Sequence, residues 1–357
     1  MLTGLDPLQK YKINLSAMAA VCRHNGSTAL AMPIGLLFFA FYFLFSTSEA
    51  NAQQLTLVEL NCENLFDCRH DTLKQDQEWL PDGLRRWTPG RYWRKLNSIG
   101  QELLACQEEA MPDLVALVEV ENDSVLRDLT RRSLLRHARY EYLMTESPDL
   151  RGIDVALLYQ PASFQPLCYD CLEVTPLSGM RPTRDILYVQ GMTAGHVSLL
   201  HVFVVHAPSR FGGERPTRAH RLAVARRLLT AVDSILAQQP DAAIVVAGDF
   251  NDYADSPALQ LLEGHGLHNV SHQARGSHGA AGSYRYQGHW QHIDHVLVSR
   301  RLLTCVDEVR VNDAPFLLEP DSRYGGQRPL RTFAGYRYQR GFSDHLPLFV
   351  RFRLTAP

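Results

Sequence analysis

Ala243 to Asp252 reads A-I-V-V-A-G-D-F-N-D, an apolar run that turns polar within two residues. Continuous β-branched and apolar residues without alternation describe a strand covered on both faces, as in a layered α/β protein. Gly248 predicts a sharp backbone turn at the end of that strand. Beyond it, Asp249 and Asn251 stand two positions apart and so point from one side. Taken alone, one such segment means little.

Outward from this segment the same change of character recurs. Apolar, β-branched runs predict strands over Leu55–Leu60, Leu114–Val120, Asp154–Tyr159, Val197–Val205, Ala243–Ala247, Ile293–Ser299 and Leu346–Leu354. Helical spacing predicts amphipathic helices over Tyr92–Glu109 and Thr217–Gln238. The first carries Leu96, Ile99, Leu103 and Leu104 on one face; the second carries Leu222, Ala225, Leu228, Leu229, Val232 and Ile235. Strands that alternate with helices or long stretches argue a layered α/β architecture. Pro161–Gly195 and Asp307–Gly341 read as long loops, and loops of that length in an enzyme usually carry binding function.

With 45% apolar and 21% charged residues, the 357-residue chain is neither disordered nor fibrous in composition. Its amino end is different. Ala29–Phe45 holds no charged residue and leads to A-N-A at Ala50–Ala52, which predicts an export signal over residues 1–52 with cleavage before Gln53. A start at Met18, or an uncleaved anchor at the short edge of a bilayer span, are the alternatives. Residues 53–357 carry 33 basic and 36 acidic side chains, a formal charge of −3. That excludes attraction to a polyanion by a global field and leaves only a local basic patch. Six cysteines remain there, an even number that permits disulfides in an exported chain. Cys168 and Cys171 form a C-x-x-C with no second pair to complete a zinc site.

Polar residues gather at the strand ends. Asn61, Glu63 and Asn64 close the first strand; Glu119 and Glu121 close the second, and strand periodicity puts those two carboxylates on one face. His206 ends H-V-F-V-V-H, just before a proline and Arg210. Asp294 lies in Q-H-I-D-H, where His295 points to the opposite face, and Asp344-His345 lies in G-F-S-D-H. Hard oxygens for a divalent cation, a proton acceptor and a donor to phosphate are what phosphoester hydrolysis needs. Arg181, Arg184, Arg210 and Arg215 are candidate phosphate contacts, and Tyr284, Tyr286 and Trp290 are aromatics able to stack on a base. Seven histidines between His265 and His295 suit zinc or copper better than magnesium, but their glycine- and serine-rich setting reads as loop.

The ordered set Asn61, Glu119, His206, Asp249-x-Asn251, Asp294 and Ser343-Asp344-His345 resembles the endonuclease/exonuclease/phosphatase superfamily, from Leu55 to about Leu354. The resemblance implies a DNase I-like four-layer α/β sandwich: two packed, mainly antiparallel sheets flanked by helices, in one catalytic domain over residues 53–357. It implies Mg²⁺, with Mn²⁺ as a substitute. Glu119, seven residues after Pro112, would be the principal metal ligand, with Asn61 beside the metal and Asp344 reaching it through water. Asp249 and Asn251 would align water and phosphate, Asp294 would orient His345, and His345 would contact the phosphate. His206 matches the DNase I-like and sphingomyelinase branches; apurinic endonucleases tend to have tyrosine there, which argues against abasic-site repair. Arg184, Arg210, Tyr284 and Trp290 would bind substrate. The expectation is an exported, monomeric phosphodiester hydrolase without a stable protein partner, most simply a nuclease acting on DNA or RNA. A sphingomyelin-type lipid or inositol phosphate substrate, or an inactive metal-binding surface protein, remain the alternatives.

Overall fold

The computed structural model describes residues 53–107, 110–194 and 198–354. The expected export segment, residues 1–52, lies outside them. In chain order the strands are β1 (Gln53–Leu65), β2 (Leu114–Val120), β3 (Glu141–Met144), β4 (Asp154–Tyr159), β5 (Phe164–Leu172), β6 (Ile186–Thr193), β7 (Leu199–His206), β8 (Ala243–Asp249) and β9 (Leu267–Asn269). They continue as β10 (Tyr284–Tyr286), β11 (His289–Gln291), β12 (Asp294–Ser299), β13 (Val306–Val311), β14 (Leu318–Pro320), β15 (Gln327–Pro329), β16 (Phe333–Ala334), β17 (Arg337–Tyr338) and β18 (Leu348–Leu354). The helices are α1 (Pro89–Leu104), α2 (Asp123–Arg131), α3 (Glu214–Gln238), α4 (Pro257–Gly264) and α5 (Arg300–Leu303).

Six strands form one sheet in the order β13-β18-β1-β2-β4-β3, and six form a second in the order β5-β6-β7-β8-β12-β9. Each sheet has one parallel pair, β1 with β2 and β7 with β8; its other neighbours are antiparallel. Parallel neighbours need a crossover, and α1 and α3 supply the two crossovers. Leu55, Leu57, Ala116 and Val118 of the first sheet meet Val202, Val204, Val245 and Val296 of the second in one buried layer. Leu96, Ile99 and Leu103 of α1 cover the outer face of the first sheet; Leu228, Leu229 and Val232 of α3 cover that of the second. The result is helix, sheet, sheet, helix.

Two expected loops are corrected. Residues 161–195 contain β5 and β6, and residues 307–341 contain the end of β13 and the hairpins β14–β15 and β16–β17. Strand β5 escapes sequence reading because it is an edge: its middle is exposed and its pairing slips between Pro166 and Cys168, so no apolar run marks it. Cys168 and Cys171 lie on this edge, and all six described cysteines are free. No helix among the described residues is long and apolar enough to cross a membrane.

Candidate active site

The inward rows of several strands change from apolar to polar at the same end of the sandwich. On β1, Leu55 and Leu57 face the second sheet, and Glu59 and Asn61 continue that row. On β7 the inward row Leu200, Val202, Val204 ends in His206; on β8, Ala243, Val245, Ala247 ends in Asp249. On β12 the row Val298, Val296 ends in Asp294. Register then brings them together, because His206 and Asp294 are both cross-strand partners of Asp249. Gly248 permits this approach rather than a turn. Its φ is +152°, and an added Cβ would stand 1.8 Å from the Val205 carbonyl oxygen.

Glu119 reaches the cleft through a bulge. Leu114, Ala116 and Val118 face the second sheet while Val115 and Leu117 face the helices, so regular alternation would send Glu119 outward. Its φ is instead 62°, and the pairings of β2 with β1 and β4 both shift register there, so that Val120 takes the outward position. Bulges of this kind re-aim side chains beside functional sites. The Glu119 carboxylate accepts from the Asn64 amide at 2.9 Å and lies 3.8 Å from His206 Nε2 and 3.7 Å from Arg151. Glu121 does not share its face, contrary to periodicity: it accepts from the Asp67 amide at 2.6 Å and lines no part of the cleft. Glu63, Asn64 and Asn251 also have left-handed φ values, of 48°, 60° and 50°. Such strain persists only where the surroundings over-determine it.

Hydrogen bonds fix the remaining geometry. Asp249 Oδ2 accepts from the amides of Asn61 and Asn251, each at 3.1 Å. His345 Nδ1 lies 2.8 Å from Asp294 Oδ2, Ser283 donates to the same oxygen, and Tyr284 lies against the His345 ring at 4.7 Å between centroids. His295 indeed points away, bonded to Asn269 and to the Asp252 carbonyl. Burial, then the nearby Asp294, pushes the Asp249 carboxyl up to about 7. Burial works against charge on His345, but Asp294 in hydrogen-bond contact outweighs it and holds the imidazole well above its ordinary value. Burial also acts on His206; there Arg184 and Arg151 reinforce it, and the value falls well below normal. His206 is thus held toward its neutral form, in which it still carries one N–H able to donate a hydrogen bond.

These residues line a cleft of about 720 Å³. Asn61, Glu119, His206, Asp249, Asn251, Asp344 and His345 border it, as do Arg210 and Tyr284, and Asp294 lies behind His345. Two expected substrate contacts are corrected. Arg184 is buried away from the cleft, bonded to Asp149 at 3.0 Å and to the Ala207 carbonyl, where it secures a loop. Trp290 packs against the core, with Arg285 over its ring at 5.6 Å. Arg181 and Arg215 are exposed and line no part of the cleft.

Sequence reading missed Arg85, Arg151 and Arg331, all of which line the cleft. Arg331 pairs with Asp344 at 2.5 Å and with Glu63 at 3.5 Å. Lys95, fully buried on α1, donates to Thr332 at 2.7 Å and to the Phe342 carbonyl, and so fastens this segment to the floor. Only the length of the 307–341 stretch hinted at such a role.

The sequence pattern of the Endonuclease/Exonuclease/phosphatase family matches residues 56–354. The chain belongs to that family. Among solved structures this family member is similar to a mannosyl-6-phosphatase of Bacteroides thetaiotaomicron, at 15% identity over 84% of this chain and 99% of that one, with TM-score 0.56. It is also similar to the catalytic domain of human Nocturnin with bound sulfate anion (17% identity, 85% and 95% covered, TM-score 0.51) and to truncated Caenorhabditis elegans TDP2 (16%, 84% and 97%, 0.51). At these identities the likeness concerns the fold alone. No curated protein matches the chain in sequence. Membership makes it a phosphoric ester hydrolase of a divalent-metal-dependent family.

The residues fit a divalent cation. Asp249, Asp294 and His345 offer donor atoms within 4.8 Å of one another, all buried. Glu119 and Asp344 add carboxylates at the same cleft, and buried Glu59 adds two oxygens without a hydrogen-bond partner. This excess of buried carboxylate is a hard-oxygen set that a hard cation balances. Asp294 holds the His345 imidazole in its protonated form, which has no free lone pair, so the carboxylates are the better ligands.

Proposed function

We propose that the protein is an exported, Mg²⁺-dependent phosphodiesterase that acts as a monomer on nucleic acid. The observation that carries the chemistry is the convergence of Glu119, the Asp249–Asn251 pair and the Asp294–His345 pair on one cleft from both sheets. Export rests on the apolar run and A-N-A signal within residues 1–52.

Glu119, with Asn61 and Asp344 beside it, would hold the cation, which supplies charge stabilisation to the phosphoryl oxygens when bound. Asp249, with a carboxyl near 7, is matched to accept a proton from water at neutral pH. The side-chain amides of Asn61 and Asn251 pin its Oδ2, and the Asn251 backbone N–H donates to its Oδ1 at 2.7 Å, so the carboxylate is held in one orientation. His345 stays cationic through its Asp294 contact, so its Nε2–H is free to donate to a phosphate oxygen as charge develops there. Neutral His206 presents a second donor within the same floor. Attack by water forms one P–O bond, with the water's proton passing to Asp249, and breaks the ester P–O bond; the departing oxygen takes up a proton from solvent.

The test is the purified full chain with Mg²⁺, Mn²⁺ or EDTA, against plasmid DNA, RNA, sphingomyelin and bis-p-nitrophenyl phosphate. Nucleic acid cleavage that EDTA stops is the expected result; choline-phosphate release without cleavage of nucleic acid, or inactivity on every substrate, overturns it. Asp249→Ala and His345→Ala should each lower turnover roughly a hundred- to a thousandfold. Undiminished hydrolysis by either would refute the assignment.

A further inference from the structure

The walls of the cleft differ from its floor. One wall rises on the side of the first sheet, where Trp79 and Phe333 belong to that sheet's outer core. Arg85 lies over both rings, at 4.5 and 5.0 Å, and 5.6 Å from the ring of Tyr336, which is 64% exposed. Glu78 at 3.0 Å and the Gly335 carbonyl hold the guanidinium in place. The other wall is built by the loops that follow β7 and β8 in the second sheet. There Arg210 lies 4.6 Å over Tyr253 and donates to Gln291 at 2.6 Å. Beside it Phe211 is 92% exposed, yet the loop that presents it is braced: its amide donates to Ser209, and Gly213 donates to the Arg210 carbonyl.

An exposed phenylalanine in a braced loop at a phosphate cleft makes chemical sense if something flat and apolar covers it. The arginines beside these rings are already held by aromatic or polar partners, so they offer both a planar face and a positive charge. A phosphomonoester of a single sugar has at most one ring to place and cannot reach both walls at once. A diester flanked by bases has one group for each wall, and only unpaired bases expose their faces.

We propose that Phe211 on one wall and Arg85, seated over Trp79 and Phe333, on the other stack unpaired nucleobases on either side of the scissile phosphate, so that the cleft takes single-stranded nucleic acid. This rests on the phosphodiesterase reading above and narrows its substrate. Arg85 and Arg210, seated on the aromatic walls away from the carboxylates of the floor, put positive charge beside the rings, which suits the phosphates of a nucleic acid strand.

The experiment compares kcat/KM of the full chain for a single-stranded oligonucleotide, its duplex, and bis-p-nitrophenyl phosphate with Mg²⁺ or Mn²⁺. The single strand should be preferred to the duplex. Phe211→Ala and Arg85→Ala should each lower kcat/KM for the single strand about tenfold more than for the small diester, as expected for a lost stacking contact. Phe211→Trp should restore most of that loss. Equal losses on both diesters, a preference for duplex, or turnover of mannose 6-phosphate with none of the oligonucleotide would overturn the proposal while small-diester activity keeps the phosphodiesterase reading. Co-sedimentation with sphingomyelin vesicles that Phe211→Ala abolishes, with oligonucleotide turnover unchanged, would assign the walls to lipid instead. No hydrolysis of bis-p-nitrophenyl phosphate by the unaltered chain would remove the phosphodiesterase reading itself.

Discussion

Glu59 sits on the inward row of β1 with both oxygens buried and no hydrogen-bond partner. Burial, then Asp294 and Asp249, raises its carboxyl well above the ordinary value. The sign follows from linkage. An unfolded chain ionises this group above about pH 4.3, the folded one only at higher pH, so stability is lost as pH climbs through that interval. In metal-free protein, Glu59→Gln should therefore match the parent below pH 4 and exceed it at pH 8. The gain should appear as a higher urea midpoint at pH 8 that vanishes below pH 4. Equal stabilities at pH 8 would contradict the burial account. Two other residues shape activity. Turnover should rise with pH up to about 7 as Asp249 loses its proton, and fall above the ordinary imidazole range as His345 loses its own. A pH–rate profile in which His345→Gln keeps the alkaline fall would contradict the second half.

At the scale of elements, strands and bulges divide what the sequence revealed from what it hid. Apolar runs announced β1, β2, β4, β7, β8, β12 and β18, because each is buried on both faces and needs no partner's position to be recognised. Asp249, Asn251, Asp294 and His345 were legible as strand ends for the same reason. The bulge at Glu119 was not. It depends on the register of β2 against both neighbours, a non-local property that pattern reading replaces with regular alternation. Lys95 and Arg331 were hidden too, since a basic residue in sequence carries no mark of the buried carboxylate it will meet. Gly248 does not serve the sharp turn that its place in the sequence predicts. Close approach of β7 is the constraint, so Gly248→Ala must push β7 and β8 apart where His206 faces Asp249. A stability loss of about 1–3 kcal/mol is expected for such overpacking, with a larger proportional loss in kcat. A variant with full activity would show that the strands tolerate the separation.

The whole molecule joins two similar halves, each a six-stranded sheet with one helix-linked parallel pair, across a shared apolar layer. Alternating strands and helices were enough to announce layers; the pairing order was not, since β18 closes against β1 from the far end of the chain. Asn61 and Glu119 belong to one sheet, His206, Asp249 and Asp294 to the other. The Asn61–Asp249 hydrogen bond and side-chain packing between the sheets set the distance between those two groups. Turnover is thus a gauge of how faithfully two slabs stay aligned, sensitive to slippage of about an ångström. On gentle heating the enzyme should fall silent while its far-ultraviolet circular dichroism is still intact, because misalignment precedes the loss of either slab. Coincident decay of both signals would mean that the slabs part only when they melt.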